Sequence, residues 1–272
     1  MARLSVASIQ KEVATLRARL VDPPAPLTAA DVAAAMGIVP DPWQSDVLCS
    51  RERNVLLLCS RQSGKSTITS VLAAHQVCFT RNSLTLIVSP GRRQSGELYR
   101  KVRAAIAVLG DQAPPAVREN DDELELANGG RVVSLPGSEK TVRGYSAPDL
   151  VIEDEAARVD DAMFSATGPM LAVSRGRNVL LSTPFGRRGH FYEAWTNGGP
   201  SWKRITITAH QVPRIDPAWL EAERNKIGAW WFSQEYLCTF EEAESQLFHD
   251  HDIDAAFSDT IAPLWAPEGL QP

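Results

Sequence analysis

Short apolar runs alternate with stretches of helical periodicity along most of the chain, and together they predict its fold. The apolar runs end in small or polar residues, as strands buried on both faces do; they cover residues 55–59, 84–88, 150–152 and 179–182. Helical spacing of apolar positions fills residues 67–79, 94–109 and 161–173. Strands that alternate with helices predict an α/β fold, with a central, mostly parallel sheet flanked by helices and a site at the carboxyl edge of the strands.

Weaker patterns predict a hairpin and the elements near the two ends of the chain. Apolar segments at residues 123–126 and 131–135 flank Asn-Gly-Gly at 128–130, which is typical of a β-hairpin. The remaining expected elements are helices at 8–20 and 28–37 around a proline-rich break at 23–26, a helix opening at Asp41, a strand at 202–208, helices at 217–227 and 230–237, and an irregular tail at 263–272.

The composition excludes several classes of protein. With 272 residues, 44% of them hydrophobic and 22% charged, the chain has the composition of an ordinary globular protein. Its apolar runs are too short to span a membrane, and the first residues lack the apolar core of a signal peptide. Its four cysteines are widely spaced, without a zinc pattern or the density of a disulfide framework. We therefore expect a reducing, cytoplasmic compartment and no membrane partner.

Charge is distributed unevenly along the chain. The net charge of −5 argues against a uniformly basic nucleic-acid-binding protein. Residues 91–103 are nevertheless basic, whereas residues 119–125 contain five acids. The basic segment either contacts a nucleic-acid backbone through charge alone or forms a solvated helix face. Its candidate DNA contacts are Arg92, Arg93, Arg100 and Lys101.

The strongest chemical signal follows the first apolar run. A short polar loop leads into Gly64, Lys65 and Ser66 and then into a helical segment, which is the strand, phosphate loop and helix of a nucleoside-triphosphate site. Loop amides and the helix N-terminus bind phosphate, Lys65 bridges the β- and γ-phosphates, and the Ser66 hydroxyl ligates Mg²⁺. The first glycine of the usual pattern is replaced by Cys59.

A second signal is the pair of adjacent carboxylates that ends the apolar run at residues 150–152. Such a strand delivers Asp154 to the Mg²⁺ shell and places Glu155 where it can polarise the attacking water. The alternative is a strand followed by the acidic first turn of a helix. The two sites need each other, so their joint presence favours the catalytic interpretation.

Three smaller signals each have a structural alternative. The Gln44 amide after Trp43 matches the two-faced edge of adenine, but the pair also fits a helix start with a buried tryptophan. Ser182 and Thr183 at a strand tip can hold water or sense the γ-phosphate, or can simply terminate the strand. Arg143, on a glycine-containing loop, is either an arginine finger acting from a neighbouring subunit or a solvated side chain.

In this order, these motifs resemble the ATPase domain of the large terminase subunit of tailed bacteriophages. The resemblance extends from about residue 43 to residue 248. The family's deviant phosphate loop is similar to residues 60–66, which accounts for the missing glycine, and its Walker B and catalytic residues are similar to Asp154 and Glu155. Its adenine, coupling and finger motifs are similar to residues 43–44, 182–184 and 142–145, and residues 89–98, 191–195 and 232–237 also resemble family segments.

The resemblance implies a fold, a set of site residues and two cofactors. The fold is a RecA-like P-loop ATPase of the ASCE type, with the catalytic glutamate two strands from the phosphate-loop strand. ATP and Mg²⁺ are the cofactors, and Ser66 and Asp154 are the metal ligands. The implied catalytic residues are Lys65, Glu155, Arg143 and Arg61, of which Arg61 contacts the γ-phosphate or pairs with Glu155. The implied ATP-binding residues are Trp43, Gln44, Ser60, Arg61, Gln62, Ser63, Gly64, Lys65, Ser66 and Thr67.

The resemblance also implies a domain organisation. We expect a helical segment and proline-rich linker at residues 1–40, the P-loop ATPase core at 41–210, and a helical lid or linker region at 211–272. The family usually carries a nuclease after its ATPase part. This chain stops where that domain would begin, so we expect no DNA cleavage from these residues.

The function implied is that of an Mg²⁺-dependent ATPase that drives double-stranded DNA into a viral procapsid in the host cytoplasm. The implied partners are DNA, the portal protein, the small terminase subunit and further copies of the chain, in a pentameric ring on the portal. Two alternatives remain open at this stage. One is a helicase-like translocase, which would need a second RecA-like lobe; the other is a docking module that binds nucleotide but hydrolyses little of it.

Overall fold

The computed structural model describes residues 27–136, 142 and 144–242. Its helices are α1 Ala29–Ala35, α2 Pro42–Cys49, α3 Lys65–Phe79, α4 Arg92–Val108, α5 Asp161–Ser174, α6 Gly189–Asn197, α7 Pro217–Ile227 and α8 Ala229–Leu237. Its strands are β1 Asn54–Cys59, β2 Leu84–Ser89, β3 Ala116–Glu119, β4 Glu123–Leu126, β5 Arg131–Pro136, β6 Leu150–Asp154, β7 Arg177–Ser182 and β8 Trp202–Ile207. The helix predicted at 8–20, the linker at 23–26 and the tail at 263–272 lie outside the described residues.

The eight strands form one sheet in the order β3-β4-β5-β2-β6-β7-β1-β8. Pairing is parallel from β5 through to β8, and antiparallel between β3, β4 and β5. The predicted α/β fold with a mostly parallel sheet is therefore confirmed, as is the hairpin of β4 and β5. Strand β7 separates β6 from β1, which is the strand placement that the terminase resemblance implied.

Alternation along β1 shows how the sheet is covered on both faces. Leu57 belongs to a large apolar cluster with α1, α2, α3 and α4, whereas Leu56 and Leu58 belong to a cluster with Phe191 of α6 on the other face. Because successive side chains of a strand point to opposite faces, a run of five apolar residues requires helices on both sides. Helix α1 packs into the same cluster as α3, with Val32 fully buried.

Two elements were missed, and both lack the local signals on which the predictions rest. Strand β3 has four residues, all of them exposed, so no apolar alternation marks it. Helix α6 begins at Gly189, which has a positive φ of 81°, and the preceding residue, Arg188, makes no capping hydrogen bond through its side chain. The starts of α3 and α4 also lie two residues earlier than predicted, at Lys65 and Arg92.

The last two helices form a small apolar cluster of their own. Leu220 of α7 packs with Phe232 and Tyr236 of α8 and with Ala209. Helix α8 also returns to the phosphate loop, because the Glu235 carbonyl accepts a hydrogen bond of 3.1 Å from the Arg61 amide. The C-terminal part of the described chain therefore contacts the residues that follow β1.

A buried imidazole supports β6 on the face opposite α3. His190 Nε2 lies 2.5 Å from Glu153 Oε1, and its Nδ1 lies 3.1 Å from Asp161 Oδ1. The Phe164 ring stacks on the imidazole, with the ring centroids 4.8 Å apart. Burial alone would lower the pKa of His190, but the bonds to Glu153 and Asp161 outweigh it and raise that pKa above its usual value. The raised pKa favours an imidazolium facing the fully buried Glu153 side chain.

We predict that His190→Ala lowers the free energy of unfolding by about 3–5 kcal/mol, because it leaves a buried carboxylate without its cation. Urea unfolding at pH 7 measures the loss. His210→Ala is the matched control: His210 is exposed in a short turn, and its removal should cost less than about 0.5 kcal/mol. Equal and small losses in the two variants would show that the Glu153–His190 pair does not stabilise the fold.

Candidate nucleotide-binding site

The loop between β1 and α3 is built as an anion cradle. Gly64 has a φ of 89°, and a Cβ added there would lie 2.8 Å from Gln44 Nε2, so the position requires glycine. The hydroxyls of Ser60 and Ser63 are buried without a hydrogen-bond partner among the described residues. The loop opens onto the N-terminus of α3, a helix of 15 residues. Unpartnered hydroxyls beside a helix N-terminus are suited to phosphate oxygens.

The acidic pair at the end of β6 lies beside this cradle. Ser66 Oγ donates a hydrogen bond of 3.4 Å to Asp154 Oδ2, which brings together two hard oxygen ligands of the kind that Mg²⁺ prefers. Asp154 is buried, and burial, together with the nearby charge of Glu155, raises its pKa to about 6. The carboxylate therefore lacks full compensation by the protein's own cations.

Glu155 turns away from the strand in a strained backbone conformation. Its φ of 55° and ψ of 42° lie in the left-handed region, which few residues other than glycine adopt. This conformation ends β6 and starts the turn at Ala156–Arg158. As a result, Glu155 Oε1 lies 3.4 Å from Lys65 Nζ, and the predicted catalytic glutamate and phosphate-loop lysine form an ion pair.

An arginine that the sequence analysis missed lies next to Glu155. Arg158 Nη1 donates to Glu155 Oε2 and to Thr183 Oγ1, both at 3.1 Å, and its Nη2 donates to Glu235 Oε1 at 3.0 Å. An arginine three residues after a glutamate gives no signal in a sequence, and its other two partners are far away along the chain. The predicted coupling residues are close to this turn as well, because Ser182 Oγ accepts a hydrogen bond from the Ala157 amide at 3.2 Å.

Comparison with known proteins identifies the family. The family described as terminase large subunit, T4likevirus-type, N-terminal, matches residues 56–254. The chain belongs to this terminase family. A terminase large subunit of Escherichia phage T5 is 30% identical over 239 residues, which cover 82% of this chain and 52% of that protein. The chain spans about half the length of the curated relatives it matches.

Solved terminase structures share the fold. The ATPase domain of the large terminase of Thermus phage P74-26 superposes with a TM-score of 0.67 at 23% identity, covering 79% of this chain and all of that one. The large terminase of another thermophilic bacteriophage, in complex with ATP-gamma-S, superposes with a TM-score of 0.59 at 12% identity, covering 73% of this chain and 52% of that one. Both likenesses concern the fold alone.

In this terminase chain, the side chains of the predicted adenine motif contact the phosphate loop and the apolar core. Gln44 Nε2 donates to the Ser63 carbonyl at 3.2 Å, and its Oε1 accepts from the Asp41 amide at 2.9 Å. Trp43 is half-buried against the main apolar cluster. These contacts fit a helix start with a half-buried tryptophan, and the adenine-binding role stays a prediction. Arg214, also missed from sequence, reinforces the contact by bonding both Asp41 oxygens and the Ser63 carbonyl.

Arg61 does not pair with Glu155, and that part of the prediction is corrected. Its Nε donates to Glu235 Oε2 at 2.7 Å, while Lys65 and Arg158 face the two oxygens of Glu155. The reason is the return of α8 to the loop, which brings Glu235 closer to Arg61 than Glu155 is. Of the other predicted loop residues, Gln62 is exposed with a φ of 61°, and Thr67 lies in the first turn of α3.

The predicted DNA-contacting segment on α4 is largely neutralised. Arg92 pairs with Asp122 at 2.6 Å, Arg100 pairs with Glu97 at 2.5 Å, and Arg103 pairs closely with Glu119. Hence the basic and acidic segments seen in the sequence partly face each other. Among the described residues, Arg93 and Lys101 make no ion pair and are exposed. Arg143, the predicted finger, lies outside the described residues.

Two kinds of feature are absent from the part of the chain that the structure describes. No group of three or more His, Cys, Asp or Glu side chains in this part of the chain is placed to hold a metal ion. None of the helices described here is long and apolar enough to cross a membrane.

We predict that Asp154→Asn stabilises the nucleotide-free protein at pH 8. The folded-state pKa of about 6 lies above the unfolded value of about 3.9, so the folded state holds the proton more tightly. The resulting stabilisation is fully present below about pH 4 and is lost as the pH rises through 6. Above that pH the buried charge costs roughly 2–3 kcal/mol, which asparagine removes.

Urea unfolding without nucleotide or divalent cations measures this effect at pH 4, 6 and 8. The gain from Asp154→Asn should grow with pH. The control is Asp46→Asn, which alters a largely exposed carboxylate paired with Lys203 and should change stability by less than about 1 kcal/mol at every pH. A gain from Asp154→Asn that does not vary with pH would contradict the raised pKa.

Proposed function

We propose that the chain is the ATP-hydrolysing motor domain of a large terminase. One observation carries the proposal: residues far apart in sequence meet at the carboxyl edge of the sheet as Lys65–Glu155 and Ser66–Asp154 contacts, each of 3.4 Å. Family membership supports the same conclusion. A scaffold that only bound nucleotide would have no use for a glutamate held beside the phosphate-loop lysine.

Each residue of the site has a distinct task in this proposal. Loop amides and Lys65 bind the phosphates, and Trp43 and Gln44 border the adenine through the start of α2. Ser66 and Asp154 would hold Mg²⁺, which supplies charge neutralisation at the phosphate oxygens when bound. Phosphate attracts Lys65 away from Glu155, and the freed Glu155 Oε1 then accepts a hydrogen bond from the attacking water. Because burial and the charge of Glu155 disfavour the ionised form of Asp154, a bound cation would compensate its charge.

The proposed work is the translocation of double-stranded DNA into a procapsid. We propose the portal protein, the small terminase subunit and further copies of the chain as partners, in a pentameric ring in the host cytoplasm. Arg143 would act there as a finger on the neighbouring site, where such a residue contributes ~10³–10⁵ in rate. The division at residues 40 and 210 and the expected lack of DNA cleavage remain predictions.

The first test is Glu155→Gln. We expect ATP binding to change by less than about 3-fold and Mg²⁺-dependent turnover to fall by about 10²–10⁴-fold, because the amide cannot act as the base. Turnover per subunit is measured over a range of protein concentrations, since a finger from a neighbour predicts a steep rise with assembly. The matched control is Glu52→Gln, at the opposite end of β1 from the loop. If turnover in Glu155→Gln is unchanged, Glu155 is not the catalytic base.

The second test separates the two kinds of basic residue on α4. Arg93→Ala with Lys101→Ala removes two cations that form no ion pair among the described residues, and Arg92→Ala with Arg100→Ala removes paired ones. Each lost phosphate contact reduces the slope of log K against log salt concentration by about 0.9 for duplex DNA. We expect the first double variant to lose more affinity, with a slope reduced by up to about 2. If neither double variant alters the slope, this segment does not contact DNA.

A further inference from the structure

Arg158 lies in the turn at Ala156–Arg158 that follows Glu155, called the catalytic turn below, and connects it to two other elements of the site. Its guanidinium contacts Glu155 in its own turn, Thr183 after β7 and Glu235 on α8, at 3.0–3.1 Å in each case. It also stacks over the Phe185 ring, 4.6 Å from the centroid. A planar fork with three hydrogen bonds from its two terminal nitrogens and an aromatic ring on one face has little freedom to rotate. The position of Arg158 is therefore set by the surrounding elements and not by its own rotamer preference.

Each oxygen of Glu155 faces a different cation, and the two contacts differ in length. Oε2 accepts a hydrogen bond from Arg158 at 3.1 Å, whereas Oε1 lies 3.4 Å from Lys65 in an ion pair. Phosphate competes for Lys65 but not for Arg158, whose N–H groups are directed at protein acceptors. When Lys65 turns to phosphate, the Arg158 bond is the contact that still fixes the plane of the carboxylate.

The far side of Arg158 is held by an acid that stays ionised. Burial alone would raise the pKa of Glu235, but Arg61 and Arg158 together bring it below its usual value. Glu235 therefore attracts Arg158 from α8, while Glu155 attracts it from the turn. These opposed attractions keep the guanidinium between the two carboxylates.

We propose that Arg158 is a positioning residue for hydrolysis: it holds Glu155 Oε2 so that Oε1 faces the phosphate loop after Lys65 has turned to phosphate. The proposal rests on the ATPase function proposed above. Arg158 acts through Glu155 and does not contact nucleotide. Lysine cannot replace it, because a single ammonium group on a flexible stem cannot bridge Glu155, Thr183 and Glu235 in one plane.

The test compares turnover with binding in Arg158→Ala and Arg158→Lys. A misdirected base lowers kcat by about 10–100-fold, while the equilibrium affinity for ATP-gamma-S should stay within about 3-fold, because Glu155 is not a binding group. Arg51→Ala, an exposed arginine before β1, is the control and should leave both unchanged. If the alanine variant does not fold, Arg158→Gln is measured in its place, since it keeps a hydrogen-bonding side chain without the charge.

A double variant separates positioning from a general structural role. In a Glu155→Gln background, Arg158→Ala should cause no further loss of turnover, because its partner no longer acts as a base. Independent, multiplicative losses, or a weakened affinity for ATP-gamma-S, would show that Arg158 supports the fold or binds phosphate, and would overturn the inference. If the wild type turns over ATP, Glu155→Gln abolishes this turnover and Arg158→Ala preserves it, the inference about Arg158 is overturned. The proposed ATPase function would then still stand. Absence of turnover in the wild type would instead overturn the proposed function.

Discussion

Parallel pairing of β1, β7 and β6 is the constraint on which the site depends. The register places Leu58 opposite Ser182 and Leu181 opposite Asp154, so the three strands end within about two residues of one another at the same edge. The phosphate loop, the coupling residues and the acidic pair follow these ends directly. Because β7 lies between the other two strands, Thr183 is next to both the catalytic turn and the returning helix α8. The topology alone therefore brings together three polar segments that are far apart in sequence.

Within that frame, the arrangement of charges determines what a ligand would change. Lys65 and Arg158 face the carboxylate of Glu155, and Arg61 and Arg158 face that of Glu235. In the proposed mechanism, a phosphate group would add negative charge near Lys65 and would leave the Arg158–Glu235 contact in place. The same ligand can therefore release one oxygen of the catalytic glutamate while the other stays bound. Selective release of this kind requires two cations with different access to the loop.

The elements and site residues that have a local sequence pattern could be predicted, whereas contacts between residues far apart in the chain could not. Buried strands, the glycine of the phosphate loop and the acidic pair each leave a short signature, so the fold and the first contacts of the site followed from them. Arg61 and Glu235, by contrast, are 174 positions apart, and nothing near either residue indicates the other. The opposite charges of residues 91–103 and 119–125 were visible, but their pairing depends on how β3 and β4 lie beside α4. Exposed β3 left no apolar pattern at all.

Strand β6 ends in two adjacent buried carboxyl groups that lie in different electrostatic environments. Glu153 and Asp154 are adjacent, so their side chains point to opposite faces of the sheet. On one face, His190 balances Glu153 and its bonds join both ends of the segment that contains Asp154 and Glu155. On the other face, Lys65 is drawn towards Glu155, and Asp154 stays buried with a raised pKa. Burial makes an ionised Asp154 unfavourable, whereas the Glu153 side chain behind it has a basic partner in His190. The same strand thus carries one buried carboxyl group with a basic partner and one with incomplete compensation, and the second is where the proposed Mg²⁺ would be held.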